Sequence, residues 1–220
     1  MTPHSLITIL RWTTANVAIA LLVCSCARLP YTTKVVHDDP RVSVKLQQDL
    51  NRASYSHPIQ LTSAELASIL GGFSYRPKQR IPLRWYAEEN PPKPVFRPDE
   101  LEVLAGRLAE GLQSAGPGER VHFELRAPGF NPAARHDVVA GWMAIREPYL
   151  YLNMEHVHVQ VPSHQSDLYD YNYPTPPPPP MEYLLYFEPG RFWMADQQGM
   201  TALEYRQFLK VPKIGDQPVR

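Results

Sequence analysis

Cysteine is almost absent from this chain. The 220 residues hold two, Cys24 and Cys26. That excludes the disulfide frameworks that staple small exported domains and a four-thiolate zinc site. An excess of one charge is absent too: Lys plus Arg and Asp plus Glu number 22 each. No net field draws in nucleic acid, so no nucleic-acid partner is expected. Long hydrophobic runs are missing. The one from about Ala15 to Val23 falls short of the ~20 residues a membrane-crossing helix needs. No internal repeat is visible, which excludes solenoids and propellers. No G-x-S-x-G elbow, phosphate-binding G-x-x-x-x-G-K-[ST] loop, H-E-x-x-H or G-x-G-x-x-G occurs. No catalytic residue, metal-ligand set or cofactor is therefore assigned. What the chain has in excess is proline, 24 residues against 11 glycines. That is about twice the usual ~5%, but Pro and Gly together stay below the ~25–30% of a disordered low-complexity chain.

His4 and Arg11 are the only basic side chains before residue 28, and no acid precedes Asp38. The short apolar run leads into Leu21-Leu22-Val23-Cys24-Ser25-Cys26, the core and small-residue end of an export signal. This resembles the lipobox of bacterial lipoproteins, where an aliphatic residue, a tolerant position and a small residue precede the modified cysteine. Val23, Cys24 and Ser25 fill those places before Cys26. Modification at Cys24 would put the bulkier Val23 at the small position, so Cys26 is the expected lipidation site. The resemblance covers residues 1–26. It implies a signal peptide over 1–25 and membrane attachment through a lipid anchor. Ala27 in place of Asp implies the outer membrane by the sorting rule of enteric-type bacteria; the periplasmic face is the expectation, which that rule does not decide. Cys24 would leave with the signal and Cys26 be acylated, so the mature chain would keep no free thiol.

A tether over 26–32 then leads to a single domain over 33–210, with proline-rich loops at 76–98 and 162–182 and a tail over 211–220. Thr33–His37 and Arg41–Leu46 are β-rich runs around an Asp38-Asp39-Pro40 turn. Thr62-Ser63-Ala64-Glu65 is a capping box, and Gly71-Gly72 predicts a left-handed exit from that helix. A second helix starts at Asp99-Glu100 and carries a stripe of Leu101, Leu104, Leu108 and Leu112. Its Gly106 and Gly111 point to close packing. Thr201-Ala202-Leu203-Glu204 reads as a third helix start. Val121, Phe123 and Leu125 alternate with polar residues as a half-buried strand. Val138–Ile145 is apolar on both faces and predicts a central strand. In Tyr149–Val161 the apolar phase flips near Glu155–His156, which predicts a bulge or a long strand that changes neighbours. Tyr183–Phe187 is a further strand, with Phe192–Met194 beside it. The class is α+β, a mainly antiparallel sheet with two to three short helices packed on it. Leu104, Leu108, Phe123, Trp142, Leu152 and Leu185 are the expected core.

The chemistry on offer is sparse. His156 and His158, two apart on a strand, share a face, but chelation needs a third ligand such as His122, His136 or Glu155. Asp137, Glu155, Glu124 and Glu188 are acids with nothing to select a catalytic pair. The unusual feature is Tyr169, Tyr171 and Tyr173 running into Pro176–Pro180. Alternating tyrosines share one side of an extended chain, and polyproline is already stiff. These tyrosines are the candidate partner-binding residues. The function expected is a lipid-anchored envelope protein that binds or scaffolds an envelope protein partner. The alternative is an envelope hydrolase acting on cell wall or glycan.

Overall fold

A computed structural model describes residues 33–51, 53–78, 91–162, 182–196 and 199–211. Ten strands and three helices are found among them. The strands are β1 (Lys34–Asp38), β2 (Val42–Gln48), β3 (Phe73–Pro77), β4 (Lys93–Pro94), β5 (Glu119–Pro128), β6 (Arg135–Arg146), β7 (Tyr149–Pro162), β8 (Tyr183–Phe187), β9 (Trp193–Ala195) and β10 (Thr201–Leu203). The helices are α1 (Ser63–Gly71), α2 (Pro98–Ser114) and α3 (Tyr205–Leu209). Seven strands form one sheet in the order β1-β2-β5-β6-β7-β10-β9, and three form a second, β4-β3-β8. Every pairing is antiparallel. The α+β class read from the strand-rich pattern is the class observed.

Period-2 alternation sets the two faces of the large sheet. Val42, Val44 and Leu46 of β2 pair with Leu125, Phe123 and Val121 of β5, which pair with Val139, Gly141 and Met143 of β6. This face is dry: Val44, Leu46, Val121, Phe123 and Met143 are fully buried. Helix α2 lies over β1, β2 and β5 and inserts Leu104, Leu108 and Leu112, also fully buried. Gly111 lets α2 come this close, because a Cβ there would lie 2.7 Å from Val121 Cγ1. Gly106 has open space around it, so close packing does not explain that one. Of the expected core, Leu104, Leu108, Phe123 and Leu152 share one cluster, and Leu185 packs at its edge. Trp142 lies elsewhere, because its even parity in β6 points it to the far face.

Helix α1 follows its sequence signal. Thr62 Oγ1 accepts from the Glu65 N–H at 3.2 Å, and Glu65 accepts from the Thr62 N–H at 2.8 Å. Its end differs from the expectation. Gly72 has φ of −80°, which is right-handed. The reason for glycine is proximity, since a Cβ there would meet the Phe187 ring at 2.6 Å. Helix α2 begins one residue earlier than read, with Pro98 in its first turn and Glu100 accepting from the Arg97 N–H at 2.8 Å.

The third start is a misreading. Thr201–Leu203 is β10, paired with β9 and β7, and only Tyr205–Leu209 is helical. A capping-box sequence of four residues carries no information about the sheet edge waiting for it, and strand pairing won. β9 joins β10 and not β8, which instead pairs with β3. An aromatic cluster ties these pieces together. Phe73 meets Phe187 at 4.9 Å and Trp193 at 5.4 Å, and Phe208 meets Phe187 at 5.0 Å and Phe192 at 5.8 Å, all edge to face.

Strand β7 carries the expected irregularity, and carries it twice. Ala140 pairs with His156 while Gly141 pairs with Met154, so Glu155 is an extra residue. Val138 pairs with Val159, so Val157 and His158 together oppose Val139. His158 takes φ of +53° there. The second bulge reverses the first. Val157 is in the core, but Gln160 then falls opposite Asp137, and Val159 opposite Val138.

Candidate functional site

The face of the large sheet turned away from α2 is mixed: His122 and Glu124 of β5, Trp142 and Arg146 of β6, Tyr151 and Asn153 of β7. Near the start of β5 and the hairpin joining β6 to β7, this face hollows into a cleft of about 680 Å³. Asp49, Tyr55, Arg120, Trp142, Arg146 and Tyr151 line it. Chain segments far apart in sequence supply these residues, and the irregular stretch after β2 forms one wall.

That wall is held by backbone and imidazole bonds. Tyr55 N–H donates to Pro117 O at 2.7 Å, and Ser56 N–H to Ile145 O at 2.8 Å. His57 is buried, with Nδ1 2.9 Å from Glu119 O and Nε2 accepting from the Ile145 N–H at 3.0 Å. This fixes the tautomer with the proton on Nδ1. Burial pushes the His57 pKa below the usual 6.5, against the opposing pull of the Glu119 carbonyl. The ring is a neutral brace, with Tyr55 stacked on it at 5.5 Å.

Inside the cleft, guanidinium groups lie on aromatic rings. Arg146 stands 5.9 Å from the Tyr55 ring and 5.8 Å from that of Tyr151. Arg120 stands 5.0 Å from the Trp142 ring, and one of its terminal nitrogens donates to Gln47 at 3.3 Å. A cation held over a ring face keeps its N–H donors pointing outward in the guanidinium plane. Both arginines and Trp142 are half-buried, so they remain reachable.

The carboxylates are differently placed. Asp49 is buried and accepts from the Tyr55 hydroxyl and from the Asn51 N–H at 2.8 Å. Burial alone would raise its pKa, but those two bonds and the charges of Arg120 and Arg146 outweigh it and hold the group below the usual carboxylate range. Asp196 accepts from the Tyr151 hydroxyl at 2.7 Å and from the Met200 N–H at 2.8 Å. Burial, then Asp196, pushes Tyr151 up to about 12. Both tyrosines therefore stay protonated donors to carboxylates. Each of these carboxylates accepts one of these bonds at each oxygen. Arg146 Nε donates to Ser54 O at 3.3 Å, which ties it to the wall.

A second hollow of about 540 Å³ lies between β7 and β8. It is bounded by Lys78 and Glu182, at the edge of the described residues.

The residues singled out in the sequence fall elsewhere. Cys26, Tyr169, Tyr171 and Tyr173 lie outside the described residues. His156 and His158 are separated by the second bulge. His156 sits across from Ala140, and His158 reaches back to Asp137 at 3.1 Å. Asp137 is buried and also meets Arg97 at 2.8 Å and Gln160 at 3.2 Å. Glu124 pairs with Arg126 at 2.7 Å, and Glu155 stands 3.3 Å from His122. These acids are dispersed over three strands, each beside a cation or imidazole. The cleft residues escaped notice because no spacing joins them. The register that reveals the tryptophan comes from a turn over 129–134, which sets His122 against Trp142 and so puts the tryptophan on the wet side of β5. Compared with family models, curated proteins and solved structures, the chain matches none.

Proposed function

We propose that the protein is a lipid-anchored component of the bacterial envelope that binds or scaffolds a partner through the cleft on the far face of the large sheet. In this reading Cys26 carries the anchor, the protein stands on the periplasmic face of the outer membrane, and the partner is an envelope protein. The observation that carries it is the cleft's chemistry: the guanidinium groups of Arg120 and Arg146 lie over aromatic rings and stay within reach of solvent, beside the carboxylate of Asp49, which is engaged at both oxygens. Such a surface suits an acidic group on a partner, because charge-assisted bonds to Arg are strong and planar.

The test is cross-linking in intact cells from a photoreactive residue at Ser54, on the rim. A discrete adduct is expected for the native chain, lost in Arg120→Ala/Arg146→Ala and in Cys26→Ser. An adduct that survives the double arginine variant, or none at all, overturns the cleft as the binding surface.

A further inference from the structure

One buried imidazole joins the cleft wall to the sheet. His57 holds the Glu119 carbonyl at Nδ1 (2.9 Å) and the Ile145 N–H at Nε2 (3.0 Å). Glu119 opens β5 and Ile145 lies near the end of β6, so a single ring ties the wall to two strands. Residues 53–57 form neither helix nor strand. Their other ties are the Tyr55 and Ser56 N–H bonds to Pro117 O and Ile145 O, and the Glu147 N–H donated to Ser56 Oγ at 3.0 Å.

The cleft is assembled by that segment. Tyr55 supplies a ring under Arg146 and a hydroxyl to Asp49, and Ser54 O accepts from Arg146 Nε. When the wall moves off, Arg146 loses a ring and an acceptor, and Asp49 loses its hydroxyl donor. The pairing of β2, β5 and β6 does not pass through the segment, so the sheet survives its release.

The bonds at His57 hold only in one protonation state. A neutral imidazole has one donor and one acceptor nitrogen, and both are used here. An imidazolium donates from both. A proton on Nε2 would face the Ile145 N–H, donor against donor, in a buried place. In water the ring takes its proton at the ordinary 6.5, and in the wall burial lowers that value. Between those two points acid favours the released wall by up to about tenfold per pH unit.

The charged groups around the ring do not reverse this direction. From the turn before β5, Glu119 pulls the His57 pKa up but is outweighed by burial, and its carboxylate accepts from the Gly116 N–H at 2.7 Å. From β6 and its hairpin come Arg146, over Tyr55, and Glu147, which is paired with Arg206 and Tyr205 and held below the usual carboxylate range. On its own side Asp49 is held low too. Arg120 and Arg146 both act on the neighbouring Tyr55, and their charge opposes another cation. Helix α2 meets the segment where the Ile59 N–H donates to Leu112 O at 3.1 Å, and its last turn has no charged side chain.

We infer that His57 is a proton-operated latch on the cleft: neutral, it holds the wall against the sheet, and protonated, it lets the wall go and withdraws the binding surface. The inference rests on the cleft as the place where the partner binds, and adds its regulation. It is independent of the lipid anchor.

Hydrogen exchange on the full chain, at about pH 7.5 and about pH 5, reads the latch without a partner. Rates are divided by those of an unstructured chain at the same pH. Protection at Tyr55, Ser56 and Ile145 is expected to fall at the lower pH by up to about tenfold per unit below 6.5, while β2 and β5 keep theirs. His57→Gln supplies a neutral donor and acceptor that do not titrate, and should remove the dependence. Should that variant not fold, ring nitrogen shifts of His57 in the native chain show whether it gains its proton as the wall loosens. Protection unchanged with pH, or a loss equal in native and His57→Gln, overturns the latch. Cross-linking from Ser54 in isolated envelopes at the same two pH values reads its consequence. An adduct lost in acid from the native chain and kept in His57→Gln supports the control of binding, and one kept by both overturns it. No adduct at either pH overturns the cleft as the binding surface, while the protection factors still decide the latch.

Discussion

The two faces of the large sheet are built by the same strands and obey opposite rules. On the α2 side, β2, β5 and β6 present Val, Leu, Phe and Met that are fully buried. One residue along each strand, the far side presents His122, Glu124, Trp142 and Arg146. Stability is concentrated on the first face. The second carries what is reachable and chemically particular. Trp142 makes the point, since hydropathy alone assigns it to the core and parity assigns it to the cleft.

Truncation on the helix side tests the comparison most severely. Leu108→Ala is expected to cost about 2–5 kcal/mol, through lost burial and a cavity the sheet cannot fill. Denaturant unfolding of the described domain measures it, and a cost below about 0.5 kcal/mol would mean a surface-like position. Gly111→Ala attacks the same face by overpacking, with an expected loss of about 1–3 kcal/mol as α2 is pushed off Val121.

His57→Ala probes the brace between the faces. It strands the Ile145 N–H and the Glu119 carbonyl, and about 1–3 kcal/mol should be lost. It also has a pH signature. The folded pKa of His57 lies below its usual 6.5, so the unfolded chain binds the proton more readily. The stabilisation of the native ring is complete above 6.5 and falls away as pH drops below it. Melting between pH 8 and about 5 should therefore show a slope in the native protein that His57→Ala reduces. An identical slope in both would mean the ring titrates freely.

The smallest effect sharpens the contrast. Trp142→Ala should cost about 1–2 kcal/mol, for the partly buried ring and its pair with Arg120, while abolishing the Ser54 cross-link. If it matched Leu108→Ala, the far face would be a second core and the division of labour would fail.

How far the sequence carried the structure follows from the range of each signal. The capping box at Thr62, the α2 leucine stripe and the alternation of β5 are local, and each element formed where read. The bulge near Glu155 was visible as a phase flip. Its companion at His158 was hidden because the two cancel, leaving apolar Val159 and Val161 in a pattern that looked continuous. The strand at Thr201–Leu203 was lost to a helix signal that pairing overrode. Asp49, Tyr55, Arg120, Trp142 and Arg146 meet only through register, and no interval in the sequence encodes that meeting.

Strand β1 has a mechanical meaning. It is the sheet's outermost strand, has no buried residue, and pairs with β2 across a bulge between Val35 and His37. Any pull transmitted along the chain from the N-terminal side arrives at Lys34 and is borne first by these few bonds. Peeling the five residues of β1 releases about 17 Å of slack at ~3.4 Å per residue. The sheet from β2 onward, with α2 bedded on it, keeps its pairing. Under such a pull the exposed, bulged edge strand is the element expected to yield before the sheet from β2 onward.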